Sequence, residues 1–436
     1  MLLRKVRVDG RAVDVRLDRG RIAEIGPNLP GGPPVLVGAG GAWIPGLHDH
    51  HVHLFATVAA NASVMCGPPT VRDSMALGRA VRSVAGAGWV RGVGYDESVA
   101  GDLDRAALDA IVDDRPVRIQ HRSGALWVLN SAAIDLLGRD VPQDGRLWRR
   151  DEWLRDRLRD TAPPSLQALG LRLASYGVTG VTDATPGDAG ALSAAARELP
   201  QHVVSLGDDT GDLSAGPRKI VLSDDALPGY TDLCKLIGGI HAGGRAVAVH
   251  SVTRESLLLL LAALTSVGAR SGDRVEHAAV VPEEAIDDLV RLELTVVTQP
   301  SLVRERGDDY LDRVDPRDVG DLWRCGSLAR RGVPVALSSD APYGSSDPWS
   351  SISAAVERRT RSGGVLGEAE AITPAQALAG FLGDPLDPGR IARHVEVGAP
   401  ADLALLAPAP GMAVGSAAVR ATFIDGQLVH ASSDHE

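Results

Sequence analysis

Near both ends of the chain, short segments alternate between apolar and polar residues. Between them lies a long middle section in which apolar segments are followed by helical ones. Residues 3–26 place apolar side chains at nearly every second position, with turn signals between the resulting strands. The same alternation returns near the C-terminus at residues 402–406 and 421–429. We therefore predict one β-domain assembled from both ends of the chain, residues 1–44 and 388–436.

The middle of the chain has the pattern of repeated strand–helix units, in which each strand is a short apolar run buried on both faces. Eight such strands, paired in parallel, close a (β/α)8 barrel. We predict an α/β fold of this kind, a distorted TIM-like barrel, for residues 45–387. Residues 55–175 fit the repeat poorly and are interpreted as an insertion over the barrel mouth. The eight predicted strands are 42–47, 177–185, 202–206, 219–222, 246–250, 274–278, 295–299 and 335–339.

Smaller features complete this predicted organisation. Within the insertion, residues 89–95 and 117–120 are predicted to be strands, and residues 151–159 a charged, exposed helix. Linkers rich in Gly and Pro at 27–34 and 384–390 mark the joins between the terminal domain and the middle.

Composition narrows the classes of protein that fit this pattern. The net charge of −11 over 436 residues argues against a nucleic-acid partner. The apolar run 257–264 is far shorter than the roughly 20 residues of a membrane span, so we expect a helix buried against a sheet and no membrane partner. Three distant cysteines and no signal peptide predict a reduced, cytoplasmic protein. Whether the chain forms a homodimer is left open.

Candidate metal ligands stand where predicted strands end. His51 and His53 are two residues apart, so they project from the same face of a strand. His250 ends the fifth predicted strand, His277 the sixth and Asp340 the eighth. In a parallel barrel these ends meet at one face. Imidazole and carboxylate groups are the ligands that Zn²⁺ prefers, and the sequence therefore predicts a site for one or two divalent metal ions.

Lys219 is one of only three lysines and lies near the start of the fourth predicted strand. Taken alone, it fits an ordinary surface lysine whose aliphatic stem packs along apolar surface. The alternative is that its amine has reacted with CO₂, giving a carbamate whose two oxygens bridge two metal ions.

These segments resemble the amidohydrolase superfamily and, within it, the amidohydrolase-3 type of metal-dependent hydrolase. The resemblance spans nearly the whole chain and implies the same barrel flanked by a composite β-sandwich. The segments that carry it are Pro45–Leu54, 177–184, Ala246–Ser251, Arg274–Ala278, Val335–Pro342, 372–378 and 397–403.

The resemblance also implies roles for individual residues. The metal centre it implies consists of His51, His53, Lys219 in carboxylated form, His250, His277 and Asp340. From this set of ligands we expect Asp340 to accept the proton of the attacking water and pass it to the leaving nitrogen, with His277 or His250 as a second catalytic residue that helps to hold the oxyanion. His48 and His50 occupy positions that relatives fill variably, and we interpret them as loop or supporting residues.

The expected reaction is hydrolysis of a non-peptide C–N bond in a small molecule, such as an amide, formamide or cyclic amide, by metal-activated hydroxide. Deamination of a heterocycle uses nearly the same groups, while decarboxylation and an inactive scaffold are rarer alternatives. The substrate itself is not identified by the sequence. Candidate substrate contacts are Tyr95, Asp96, Arg122, Trp127 and Gln299, although packing explains the aromatic ones equally well.

Overall fold

The protein is described here by a computed structural model covering residues 1–31, 36–86, 88–138, 140–158, 165–187, 189–408 and 419–432. Part of the predicted linker 27–34 and the end of the predicted helix 151–159 lie outside the described residues. The chain divides into two compact units. The larger unit joins Met1–Leu54 to Ser165–Glu436, and the smaller unit is Phe55–Pro164.

The strands of the described residues are numbered in chain order. They are β1 Leu2–Val8, β2 Arg11–Asp18, β3 Arg21–Gly26, β4 Leu36–Val37, β5 Ala42–Pro45, β6 Leu47–Val52, β7 Val64–Met65, β8 Val90–Tyr95, β9 Val117–His121, β10 Leu126–Leu129, β11 Arg146–Trp148, β12 Val178–Asp183, β13 His202–Ser205, β14 Ser214–Ala215, β15 Arg218–Val221, β16 Val247–Ser251, β17 Arg274–His277, β18 Thr295–Thr298, β19 Val335–Leu337, β20 Leu403–Leu406, β21 Val419–Ile424 and β22 Gln427–Ala431.

The α-helices are numbered in the same way. They are α1 Leu54–Asn61, α2 Ser74–Arg82, α3 Glu97–Ala100, α4 Arg105–Ile111, α5 Ser131–Leu137, α6 Asp151–Arg157, α7 Gln167–Ser175, α8 Gly190–Ala195, α9 Tyr230–Ala242, α10 Arg254–Val267, α11 Glu283–Arg291, α12 Ser301–Arg313, α13 Pro316–Val319, α14 Cys325–Arg330, α15 Pro348–Glu357 and α16 Pro374–Ala379. None of these helices combines the length and the apolar character of a transmembrane span.

One sheet contains strands from both ends of the chain. Its order is β22-β21-β20-β5-β1-β2-β3, and β4 pairs with β1 in parallel outside this order. The turn between β1 and β2 is formed by Asp9 and Gly10, both at positive φ (48° and 76°), as a two-residue hairpin turn of type I′ requires. Leu3, Trp43 and Phe423 belong to the apolar cluster on this sheet, so residues far apart in sequence share one core.

Two parallel sheets occupy the middle of the larger unit. Their orders are β14-β13-β12-β6 and β15-β16-β17-β18-β19. Each of the eight strands predicted for the barrel overlaps one of their strands, but the first begins later than expected. Residues 42–45 form β5 in the terminal sheet, where they pair with β20, and only Leu47–Val52 pairs with β12.

The chain passes from one sheet to the other at Gly46. A Cβ atom at this position would lie 2.1 Å from Cγ2 of Thr179, so only glycine allows this close approach. The sequence pattern does not reveal this switch, because it depends on a contact with a residue more than a hundred positions away.

We expect Gly46→Ala to lower the free energy of unfolding by about 1–3 kcal/mol, because the added methyl group must displace Thr179. Gly239→Ala is the control, since a Cβ there meets nothing within 4 Å on the exposed side of α9. That control is expected to be neutral or stabilising by up to about 1 kcal/mol. Denaturant unfolding followed by circular dichroism measures both, and equal stability of the two variants would contradict the close approach.

The predicted closed barrel is not confirmed, because the two parallel sheets are separate in the strand pairing of the described residues. A few backbone hydrogen bonds bridge the gaps between them, among them one from the N–H of His53 to the carbonyl of Ala341 (2.9 Å). The N–H of Lys219 donates to the carbonyl of Leu206 (2.8 Å), and the N–H of Asp340 donates to the carbonyl of His51 (2.8 Å).

Helices cover the outer face of the five-stranded parallel sheet. The run 257–264 lies in α10, whose buried face includes Leu257, Leu260 and Leu264 and packs in one cluster with Val249 and Val275. α10 begins with a capping box formed by Thr253 and Ser256. Helix α7, which falls within the predicted insertion 55–175, lies in the larger unit, since its Leu169 and Leu173 are buried there.

The smaller unit is built around one mixed sheet of order β11-β10-β9-β8-β7. Strands β8 and β9 overlap the predicted strands 89–95 and 117–120, and α6 overlaps the predicted helix 151–159. Leu77, Val90 and Ile119 belong to an apolar cluster of this unit, which therefore has a core of its own.

Candidate metal centre

The carboxyl ends of the parallel strands carry the predicted ligands. His51 lies on β6, and His53 follows the strand directly. The register of β6 against β12 shifts between Asp49 and Val52, since Val181 pairs with Asp49 while Asp183 pairs with Val52. Such an irregularity changes the direction of side chains, and His51 lies within it.

The carboxylate of Asp340 lies close to these two histidines. Its Oδ1 lies 3.4 Å from Nε2 of His53 and 3.6 Å from Nε2 of His51. One ligand atom from each of the three residues can be chosen so that all lie within 4.8 Å of one another. Oδ1 of Asp340 is buried, with no hydrogen-bond partner among the described residues. A buried carboxylate oxygen without a partner, facing two imidazoles, fits a divalent cation.

His250 and His277 extend this cluster across the neighbouring strands. Their ring centroids are 4.4 Å apart, and the ring of His277 lies 4.8 Å from that of His51. Nδ1 of His277 donates to Oε1 of Gln299 (2.8 Å), which leaves Nε2 of the same ring as the acceptor.

Backbone conformation brings His277 and Asp340 to the site. Alternation along β17 would point His277 to the same face as Val275, which packs in the apolar cluster beneath the helices. Instead His277 has φ 71° and Asp340 has φ 51°, both in the left-handed region. Holding a non-glycine residue there costs about 1–3 kcal/mol, and such outliers gather at functional sites.

Lys219 also reaches this cluster. It lies on β15 and is 6 % exposed, and its Nζ is 3.3 Å from Nε2 of His51. Burial lowers the pKa of this amine to about 8. The structure therefore places Lys219 beside the histidines rather than on the surface.

The electrostatics of the cluster match the requirements of a metal ion. Burial lowers the pKa of His51, of His277 and, to about 2, of His250, so these imidazoles are neutral and offer lone pairs. Burial alone would raise the pKa of Asp340, but the imidazoles of His53, His277 and His51 hold it below its ordinary value. One carboxylate and several neutral imidazoles form a donor set for Zn²⁺ and related ions.

His48 and His50 are strand residues of β6, not the loop residues that the sequence suggested as one possibility. Both are buried, and their rings lie 4.8 Å apart. Nε2 of His48 is 2.9 Å from Oγ1 of Thr182. Asp49 lies between these two histidines on the same strand. It accepts hydrogen bonds from the N–H (3.0 Å) and hydroxyl (2.5 Å) of Ser339 and so links β6 to the segment before Asp340.

The predicted substrate contacts fall into two groups. Gln299 lies in the larger unit and is fully buried, with its amide engaged by His277 and by Ser338 (2.9 Å). The others lie in the smaller unit, each with a partner there. Tyr95 donates to the carbonyl of Gly101 (2.7 Å), Asp96 pairs with Arg122 (2.9 Å), and Trp127 donates to Asp151 (2.7 Å).

The sequence reasoning missed Arg274 and Glu276. Both are buried on β17, and Glu276 contacts His51. A signal was available, because Arg274 and Glu276 occupy alternate positions of a predicted parallel strand, and parallel strands are buried on both faces. Buried charges need partners, so this pattern indicates a polar cluster inside the fold.

Parallel strands whose carboxyl ends gather imidazoles and a carboxylate are typical of metal-dependent hydrolases. The chain belongs to the amidohydrolase family, whose model matches residues 39–430.

Individual proteins match over most of their length. The N-substituted formamide deformylase of Arthrobacter pascens is 25% identical, over 90% of this chain and 89% of that protein. The crystal structure of an uncharacterized metal-dependent hydrolase from Pyrococcus horikoshii aligns with a TM-score of 0.75 at 19% identity, over 95% of this chain and 98% of that one. A 5-methylcytosine deaminase from Klebsiella pneumoniae aligns with a TM-score of 0.58 at 15% identity, over 100% and 98% of the two chains. These structural likenesses show a shared fold.

Proposed function

We propose that this protein is a metal-dependent hydrolase that cleaves a non-peptide C–N bond of a small molecule, an amide, formamide or cyclic amide. The observation that supports the proposal is that Oδ1 of Asp340 is buried, faces His51 and His53, and has no hydrogen-bond partner among the described residues. Membership of the amidohydrolase family supports the reaction class. The similarity to a formamide deformylase supports formamides as the first substrates to test.

The metal would be held by His51, His53, His250, His277 and Asp340, and we propose Zn²⁺. A divalent ion supplies Lewis acidity and lowers the pKa of water enough for attack at neutral pH. The neutral imidazoles keep the site from carrying a net positive charge of its own before the ion binds.

Asp340 would move the proton in this reaction. Its carboxylate accepts a proton from the attacking water, whose oxygen bonds to the carbonyl carbon of the substrate. The C–N bond then breaks as Asp340 returns that proton to the leaving nitrogen. His277, whose Nδ1 donates to Gln299, would present the Nε2 lone pair to the metal ion, so we propose it as a ligand rather than as a donor to the carbonyl oxygen.

Lys219 would be carboxylated in the working enzyme. Its amine nitrogen attacks the carbon of CO₂, an N–C bond forms, and a proton leaves the nitrogen for water. The resulting carbamate provides two anionic oxygens, enough to ligate two ions. The position of Nζ beside His51 and the burial of the side chain support this role.

A closed, distorted (β/α)8 barrel is the architecture that we propose around this site. Its support is the backbone hydrogen bonds that cross the gaps between the parallel sheets, among them those from Lys219 to Leu206 and from Asp340 to His51. Both gaps therefore involve residues of the proposed metal centre.

The test combines metal analysis with a substrate panel. Tag-free protein expressed with added zinc is expected to retain one to two equivalents of metal, and content below about half an equivalent would contradict the proposal. The loaded protein is then assayed with N-substituted formamides, simple amides, cyclic amides and heterocyclic amines, beside metal-stripped protein. Turnover of the first three groups supports the proposal. Turnover of heterocyclic amines alone indicates a deaminase, and no turnover by metal-replete protein contradicts hydrolysis of these bonds.

A further inference from the structure

A fully buried carboxylate links a proposed metal ligand to a buried cation. Oε2 of Glu276 accepts a hydrogen bond from Nδ1 of His51, and Oε1 accepts one from Nε of Arg274 at 2.5 Å. His51 and Glu276 are 0 % exposed and Arg274 is 2 % exposed. Arg274 also donates to the backbone carbonyl of His50 (3.4 Å), on the strand that carries His51. The three side chains therefore form one buried chain of contacts.

These contacts determine where the proton of the His51 ring lies. An ionised carboxylate only accepts hydrogen bonds, so Nδ1 of His51 must carry the proton that it donates to Glu276. Nε2 is then a lone pair, and it faces Nζ of Lys219 at 3.3 Å and Oδ1 of Asp340 at 3.6 Å.

We propose that Glu276 is a positioning residue of the metal centre, which holds His51 in the Nδ1-protonated form with Nε2 aimed at the ion. Arg274 in turn fixes Glu276 and compensates its buried charge. This inference rests on the proposed function, since it assumes that His51 binds metal. Partners of this kind orient metal-binding histidines and make the ring a better donor.

The neighbouring ligand shows why the carboxylate matters. His277 is oriented in the same way, but its Nδ1 donates to the neutral amide of Gln299. Glu276 adds a negative charge to the same geometry and so pulls the Nδ1 proton of His51 more strongly. Replacing Glu276 by the amide keeps the shape of the side chain and removes the charge.

The test is the zinc affinity of Glu276→Gln in the full-length, tag-free chain, measured by competition with a chelator. The dissociation constant is expected to rise about 10- to 100-fold. Glu276→Asp, which keeps the charge but is one methylene shorter, is expected to fall between the wild type and Glu276→Gln. The control is Glu370→Gln, another buried carboxylate, whose oxygens accept from the N–H and hydroxyl of Ser327. Its zinc affinity is expected to stay within about threefold of the wild type, because a general loss of packing does not change the ligands.

The outcomes separate the two proposals. Failure of the wild type to bind zinc overturns the proposed function, whatever Glu276 does. Tight binding by the wild type and equal binding by Glu276→Gln overturns the positioning role alone. If Glu276→Gln does not fold, nitrogen NMR of ¹⁵N-histidine-labelled wild-type protein decides, with the His51 signal assigned by its absence in His51→Gln. A proton on Nδ1 of His51 supports the proposal, and a proton on Nε2 overturns it.

Discussion

Asp340→Asn is expected to lower kcat by at least about a hundredfold while the fold and the bound metal persist. The amide cannot accept a proton at the site where the carboxylate accepts one, but it has the same shape and keeps one oxygen for a metal ion. Asn also tolerates the left-handed backbone of this position (φ 51°) better than most residues, so the substitution adds little strain. The measurement is kcat on the best substrate of the panel, beside metal content and thermal unfolding.

A control separates loss of chemistry from loss of a buried carboxylate. Asp14 is as buried as Asp340, each 6 % exposed, but it lies in the terminal sheet and pairs with Arg4 at 2.9 Å. Asp14→Asn is expected to lower the unfolding temperature and to leave kcat within about twofold of the wild type. If Asp340→Asn retained kcat within about tenfold with full metal content, Asp340 would have no part in proton transfer.

The strand positions could be predicted because parallel buried strands are continuous apolar runs between turn signals. Their polar ends could be predicted too, since His250, His277 and Asp340 each stand at the end of a predicted strand. The limits of the sequence appear at the switch between sheets. The sequence predicts one strand over residues 42–47. The change of sheet at Gly46 depends on its close contact with Thr179, which the structure shows and the sequence does not.

The internal arrangement of the site was less accessible from the sequence. Strict alternation would direct His277 away from the cluster, and residue spacing does not reveal that this residue has a positive φ. The link from Arg274 through Glu276 to His51 joins strands that are distant in sequence, so spacing alone does not reveal it. Aromatic residues proposed as substrate contacts were ambiguous because packing uses the same residue types, and Trp127 is held by Asp151 within its own unit.

Lys219→Ala is expected to lose one metal equivalent and most of the activity. An ammonium about 4 Å from a single positive charge is disfavoured by about 4 kcal/mol at an effective dielectric constant of 20, and a divalent ion doubles that repulsion. A buried Lys219 beside His51 is therefore compatible with bound metal only after its charge is removed, and carboxylation both removes it and supplies two ligand oxygens. Without the side chain, the second ion loses its anionic ligand, and activity falls with it.

Short carboxylic acids such as acetate and propionate are expected to restore part of the metal content and activity of Lys219→Ala, because they place a carboxylate in the vacated space. The control is Lys235→Ala, since Lys235 is exposed on α9, where it pairs with Asp232 at 3.7 Å. This substitution is expected to leave the metal content and the activity unchanged. In wild-type protein loaded with zinc and ¹³C-bicarbonate, carbon NMR is expected to show a carbamate carbonyl that is absent from Lys219→Ala. Electron density for an unmodified Lys219 in a zinc-containing crystal at neutral pH would rule out the carbamate, because an ordinary ammonium would then coexist with the ion that it should repel.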